Sequence, residues 1–177
     1  MRTEALNRST LVFNLFDANN NGYLDPDDFE LMAKRVNQAV PQAEDAAKSA
    51  MLAGFRGYWA ALVRELDTNR DGRISLAEYN ACVLCPERFE GALTEFAESI
   101  SALGDLDGDG FVSRPVFDAI MTAVGFRHAN IHALFDALEP SDTDHIRRAT
   151  WAEAIKEYYG PDKAGIPGDY LVEVPAA

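Results

Sequence analysis

Residues 17–28 read D-A-N-N-N-G-Y-L-D-P-D-D, and residues 67–78 read D-T-N-R-D-G-R-I-S-L-A-E. In both segments oxygen-bearing side chains fall at positions 1, 3, 5, 9 and 12, and a glycine (Gly22, Gly72) stands at position 6. This spacing can wrap a short loop around a hard divalent cation. Such an ion takes about six to eight oxygens, alternate side chains point inward to supply them, position 7 adds a backbone carbonyl, and the glycine makes the sharp turn. The first loop offers Asp17, Asn19, Asn21, the carbonyl of Tyr23, Asp25 through water, and Asp28. The second offers Asp67, Asn69, Asp71, the carbonyl of Arg73, Ser75 through water, and Glu78. Glu78 can chelate through both oxygens, which suits calcium. Asp28 is one methylene shorter, so the first loop must draw in to chelate and admits the smaller magnesium ion as well.

A search for internal repetition finds a weaker copy at 105–116. It offers Asp105, Asp107, Asp109, the carbonyl of Phe111, and Ser113, but position 12 is Val116, which cannot ligate. Three neighbouring aspartates still call for a counter-ion. This loop is read as a weaker site for calcium, or for magnesium with several waters. A fourth copy, 139–150, has Pro140 at position 2, Asp144 in place of glycine, Arg147 at 9 and Thr150 at 12, and is read as unable to bind metal.

The loops need helices on either side, and hydrophobic spacing supplies them. Phe13 and Phe16 precede loop one; Trp59, Val63 and Leu66 precede loop two; Ile131, Phe135 and Leu138 precede loop four. Outgoing helices carry Phe29, Met32 and Val36; Tyr79 and Val83; Phe117, Ile120 and Val124; and Trp151, Ile155 and Tyr158. Before loop three the stripe of Phe96, Ile100 and Leu103 is offset by one, and the helix is expected to end at Gly104. A helix of about 24 residues running to Leu66 is expected, with Pro41 suiting its first turn. Gly54 and Gly57 within it mark a kink or a close contact. A further helix starts near Pro86. The apolar residue at position 8 of each loop should pair with its neighbour, Leu24 with Ile74 and Val112 with Ile146, so that the fourth hand supports the third.

This pattern resembles the EF-hand superfamily over essentially the whole chain, and within it the sarcoplasmic calcium-binding proteins and calerythrin. The points of likeness are the length, the long helix between the first two loops, Asp28 at position 12, a vestigial hand and an apolar C-terminal tail. The resemblance implies an all-α fold, four helix–loop–helix units in two pairs within one compact globule, with high-affinity sites and no obligate target. Residues 1–85 are read as the first pair, 86–160 as the second, and 161–177 as a tail that packs on the body through Tyr170, Leu171, Val172 and Val174. The chain departs from the calerythrin pattern, in which the second hand is the one usually lost; here the second is the most complete.

The chain has 177 residues, is 47% hydrophobic and 25% charged, and carries a formal net charge of −13. That balance favours cations over nucleic acid or anionic membrane. No apolar run is long enough for a transmembrane helix and no leader is evident, so a cytoplasmic monomer is expected. The pair Cys82 and Cys85 can be read as a redox motif, but the favoured reading places Cys82 in the core. No nucleophile–base pair, phosphate loop or zinc spacing points to an enzyme. Among calcium-binding functions, four methionines are few for a sensor with a Met-rich groove. A buffer or carrier is therefore preferred, a sensor acting on a protein partner is the alternative, and an EF-hand protein holding a small apolar ligand is a remote third.

Overall fold

The computed structural model describes residues 3–82 and 85–172. The expectations for Val83, for Val174 and for the side chain of Cys82 lie outside what is described. Helix α1 (Thr3–Phe16) buries Val12, Phe13 and Phe16 on one face and leads into the first loop. Strand β1 (Tyr23–Leu24) and helix α2 (Pro26–Ala39) follow. The start of α2 is fixed chemically. Asp25 accepts from the backbone N–H groups of Asp27 and Asp28, Asp28 accepts from that of Asp25, and Pro26 takes the first helical position, where no donor is lost.

The long helix α3 runs Asp45–Leu66, so it is 22 residues long and Pro41 lies outside it, in a turn after α2. Its buried face includes Met51, Phe55, Tyr58, Leu62 and Leu66, with Trp59 and Val63 at the margin. The stripe differs from the expected one because α3 packs on α2 along one side and on the later helix α5 (Glu90–Gly104) along another. Gly54 serves that second contact. A Cβ on Gly54 would collide with the Ser99 side chain of α5. Strand β2 (Ile74–Ser75) and helix α4 (Leu76–Cys82) complete the second hand.

A 3-10 turn at Pro86–Arg88 precedes α5 (Glu90–Gly104), so the α-helix begins slightly later than expected. The C-terminal half continues with β3 (Phe111–Ser113), α6 (Arg114–Val124), α7 (His128–Ala137), β4 (His145–Arg147) and α8 (Arg148–Tyr158), and closes with a 3-10 turn, Pro167–Leu171. Helix α5 ends at Gly104 as expected, and packing requires the glycine there. A Cβ there would lie 3.0 Å from Val112 Cγ1 and 3.1 Å from Trp151 Cζ3.

The four helix–loop–helix units pair through two short antiparallel ladders. Leu24 lies opposite Ile74, and Val112 opposite Ile146, all four fully buried or nearly so. The core is continuous between the halves. Phe96 of α5 meets Tyr58 at 4.9 Å, Phe55 at 5.0 Å and Phe16 at 6.3 Å between ring centroids. Burying one such aromatic side chain contributes roughly 1.5–3 kcal/mol, so this junction fixes the halves, and the loops they carry, in one arrangement.

Candidate metal centre

Each of the first three loops turns at its glycine with the backbone in the left-handed region, φ 85° at Gly22, 79° at Gly72 and 88° at Gly110. Only glycine adopts this at no steric cost. The fourth loop keeps the same bend with Asp144 at φ 61°, so its shape outlasts its donor set.

In loop one the donors are held by the loop's own N–H groups. Asp17 accepts from Asn21 N at 2.9 Å and Gly22 N at 2.8 Å. The side-chain Oδ1 atoms of Asn19 and Asn21 accept from Asn21 N and Tyr23 N at 3.0 and 2.9 Å. Asp28 closes the ring by accepting from Asn19 N at 3.2 Å and Asp25 N at 3.0 Å. Asp28 is fully buried. Burial pushes its carboxyl upward, the N–H bonds from Asp25 and Asn19 oppose this, and the charges of Asp25 and Asp17 add to the rise. A carboxylate so placed gains from a cation more than an exposed one would.

Loop two repeats the arrangement. Asp67 accepts from Asp71 N and Gly72 N at 3.1 and 2.9 Å, and Asp71 from Arg73 N at 2.9 Å. Glu78 accepts from Ser75 N and Oγ and from Thr68 N and Oγ1, all within 3.2 Å. These bonds, Ser75 N–H first, hold its carboxyl down at about 2. Both oxygens of position 12 are thereby aimed across the loop, one from each side.

Loop three converges differently. One carboxylate oxygen from each of Asp105, Asp107 and Asp109 lies within 4.8 Å of the others. The Asp105 side chain is 2% exposed. Its Oδ2 accepts from Gly110 N at 3.1 Å, whereas its Oδ1 is buried without a hydrogen-bond partner. An unsatisfied buried carboxylate oxygen costs more than an ordinary lost hydrogen bond, and a cation of the hard class fits it. The half-buried Val116 closes no ring at this loop. The side chains of Tyr23 and Phe111 stand outward, so these residues offer only their carbonyls to a loop.

Hands three and four exchange arginine contacts that the loop pattern did not flag. Arg114, at position 10 of loop three, donates through Nε to Asp144 at 2.8 and 2.9 Å and through Nη2 to Asp136 at 2.7 Å, and its guanidinium lies 4.2 Å from the Phe135 ring. Arg114 holds the Asp144 carboxyl below its ordinary range. Arg148 reaches back to Asp105 Oδ2 at 3.4 Å. Arginines therefore neutralise the carboxylates of the degenerate hand and lean on the third. Template matching within one loop could not find them, because each contact joins two hands.

Among described residues no helix is long and apolar enough to cross a membrane. Residues 8–84 match the family described as an EF-hand domain pair. The chain is 28% identical over 145 residues to sarcoplasmic calcium-binding protein 1 of Astacus leptodactylus, covering 76% of this chain and 74% of that protein. Its fold is similar to that of a Streptomyces coelicolor calcium-binding protein, with a TM-score of 0.74 at 24% identity over 86% of this chain and 95% of the other. It is also similar to the amphioxus sarcoplasmic calcium-binding protein, with a TM-score of 0.73 at 19% identity over 99% and 100% of the two chains. The proteins matched are calcium-binding proteins. With four paired helix–loop–helix units, oxygen donors at the ligand positions and these relatives, the chain is an EF-hand calcium-binding protein that resembles the sarcoplasmic group.

Proposed function

We propose that this protein is a cytoplasmic, monomeric calcium buffer or carrier. In this reading Asp17, Asn19, Asn21, the Tyr23 carbonyl and Asp28 hold one ion. Asp67, Asn69, Asp71, the Arg73 carbonyl and Glu78 hold a second, and Asp105, Asp107, Asp109 and the Phe111 carbonyl hold a weaker third. Magnesium competes at loops 17–28 and 105–116, where the bidentate glutamate is missing. The chain divides at 1–85 and 86–160, with 161–177 as a covering tail. Nucleic acid and membrane are not partners of a surface with a net charge of −13, and no protein partner is required.

The observation that carries the reading is how the apolar faces are covered. Sensors work by exposing a groove rich in methionine. Here Met32, Met51 and Met121 are all buried. Helices α3 and α5, and α2 and α6, pack the halves against each other, and the 3-10 turn Pro167–Leu171 lies against α1, α7 and α8. A groove would have to be opened against these contacts.

A regulatory role is the second reading, favoured by the description of the Streptomyces coelicolor neighbour in terms of calcium-mediated regulation. A bound apolar ligand fits less well. The cavity between the halves, lined by Phe16, Phe96, Met121 and Trp151 among others, holds about 80 Å³, whereas small-molecule pockets run to roughly 300–1,000 Å³.

Calorimetric titration of metal-free protein with calcium, in buffer with and without magnesium, tests the proposal. A buffer takes up at least two ions with dissociation constants near the buffer range of about 10⁻⁹–10⁻⁸ M, and magnesium weakens the first-loop site more than the second. Uptake only in the range of about 10⁻⁷–10⁻⁵ M, unaffected by magnesium, would refute it.

A further inference from the structure

Outside the calcium loops, three side chains of the C-terminal half converge on one point. Asp118 lies on α6, and His128 and His132 lie one turn apart on α7. His128 Nδ1 is 3.1 Å from Asp118 Oδ1, and His132 Nε2 is 3.6 Å from the same oxygen. The three ligand atoms all lie within 4.8 Å of one another. The opposite face of α7, with Asn130, Ile131, Leu134 and Phe135, is buried in the core. The helix cannot rotate the histidines away without breaking that packing.

We propose that Asp118, His128 and His132 form a site for a borderline divalent transition-metal ion of the zinc class, separate from the calcium loops. The donor set is the first argument. Imidazole nitrogen is a poor ligand for calcium and magnesium, which take oxygen, and a good one for zinc and its neighbours. The spacing is the second. Zinc holds nitrogen and carboxylate oxygen at about 2.0–2.2 Å, so the edge of its tetrahedron is about 3.4 Å. The two nitrogen–oxygen separations, 3.1 and 3.6 Å, straddle that edge. Three protein ligands leave the fourth position for water or for a donor from another molecule, the open pattern of zinc sites.

Access is direct, since the histidine side chains are 69% and 55% exposed and that of Asp118 is 25% exposed. The bound ion would tie the outgoing helix of hand three to the incoming helix of hand four across the left-handed turn at Gly125. It would therefore clamp the joint between hands three and four, and divalent transition metal would be read separately from calcium.

The tautomers give a signature. Without metal, His128 must carry its proton on Nδ1 to donate to the carboxylate oxygen, which can only accept. With zinc on Nδ1, the proton must sit on Nε2. His132 would bind through Nε2 and keep its proton on Nδ1.

The test uses the full chain saturated with calcium, so that the loops do not compete, and zinc as the metal alone. Imidazole ¹⁵N resonances are followed through the titration, with His145 as the internal control. The expected result is a shift of His128 Nδ1 and His132 Nε2 to the metal-bound position at one equivalent, with the His128 tautomer reversed and His145 unmoved. Each of H128Q, H132Q and D118N should weaken zinc uptake at least about tenfold while leaving the calcium isotherm unchanged. The imidazole signals of the unsubstituted protein decide the question even if zinc also reaches the Cys82–Cys85 pair or a variant folds poorly. Absence of the shift, or an equal shift of His145, would overturn the proposal.

Discussion

Removing Arg8 tests most severely how the C-terminal segment is held. Arg8 sits on α1 with its side chain 0% exposed. Its Nε donates to the Tyr158 carbonyl at 2.8 Å and Nη2 to the Gly160 carbonyl at 2.9 Å. Both terminal nitrogens reach the Lys163 carbonyl at 3.2 Å, and Nη1 pairs with Asp169. The Tyr158 hydroxyl returns a bond to the Arg8 carbonyl at 3.1 Å. One guanidinium thus ties down the end of α8, the turn after it and the final 3-10 turn. Substitution by Ala would strip partners from three carbonyls and leave the Asp169 carboxylate, 14% exposed, facing a void. Breaking a buried pair from one side costs about 3–5 kcal/mol. Partial rehydration of the carbonyls, once the segment lifts, places R8A near the lower end. R8K keeps the charge but cannot make the forked contacts, and should lose roughly half as much. Urea unfolding of calcium-loaded protein measures the change, and limited proteolysis should show cleavage within 160–172 before the body unfolds. A loss under about 1 kcal/mol for R8A, with no new cleavage, would refute the claim that this arginine latches the segment.

Further outcomes follow from the same geometry. E78Q should weaken calcium binding at the second loop on the order of 10–100-fold or more, since loss even of a supporting ligand contact costs that much; calorimetry against the other sites measures it. G104A should destabilise the protein by about 1–3 kcal/mol through overpacking against Val112 and Trp151, seen as a lower denaturation midpoint. Tyr58, Tyr79 and Tyr159 are buried, and burial, reinforced at Tyr58 and Tyr79 by the neighbouring tyrosines, pushes their hydroxyls above their usual range. The folded state therefore keeps protons that the unfolded chain releases above about pH 10. Stability is fully present below that pH and falls above it, by up to about 1.4 kcal/mol per pH unit for each tyrosine. Chemical denaturation between pH 9 and 11 tests the sign, and replacing Tyr79 by Phe should lessen the slope.

Local chemistry was readable in the sequence, and contacts between distant segments were not. The spacing of oxygens and glycines located the loops, and the position 8 residues gave the register of both ladders, because a two-residue strand has few alternatives once the loops are placed. Gly104 was expected to end α5 for conformational reasons, yet it ends there under the Trp151 ring, a contact separated by 47 residues that no window spans. Pro41 matched a helix start locally, but α3 begins only at Asp45. The buried stripe of α3 was misplaced at Trp59 and Val63 because the helix packs on two sides at once. Arg8 carries no local signal in the sequence, since its partners lie 150 to 161 residues away. His128 and His132 were legible as neighbours on one helical face, whereas Asp118 is added only by the packing of α6 on α7.

The central claim is that this EF-hand body binds calcium without opening an apolar surface. The most direct test follows the emission of an apolar-surface dye while metal-free protein is titrated with calcium in magnesium-containing buffer. The account predicts that dye emission stays low, or falls, as the loops fill, because the faces joined at Phe96, Tyr58 and Phe16 stay covered. A large rise in emission that saturates with calcium would contradict it and identify the protein as a sensor.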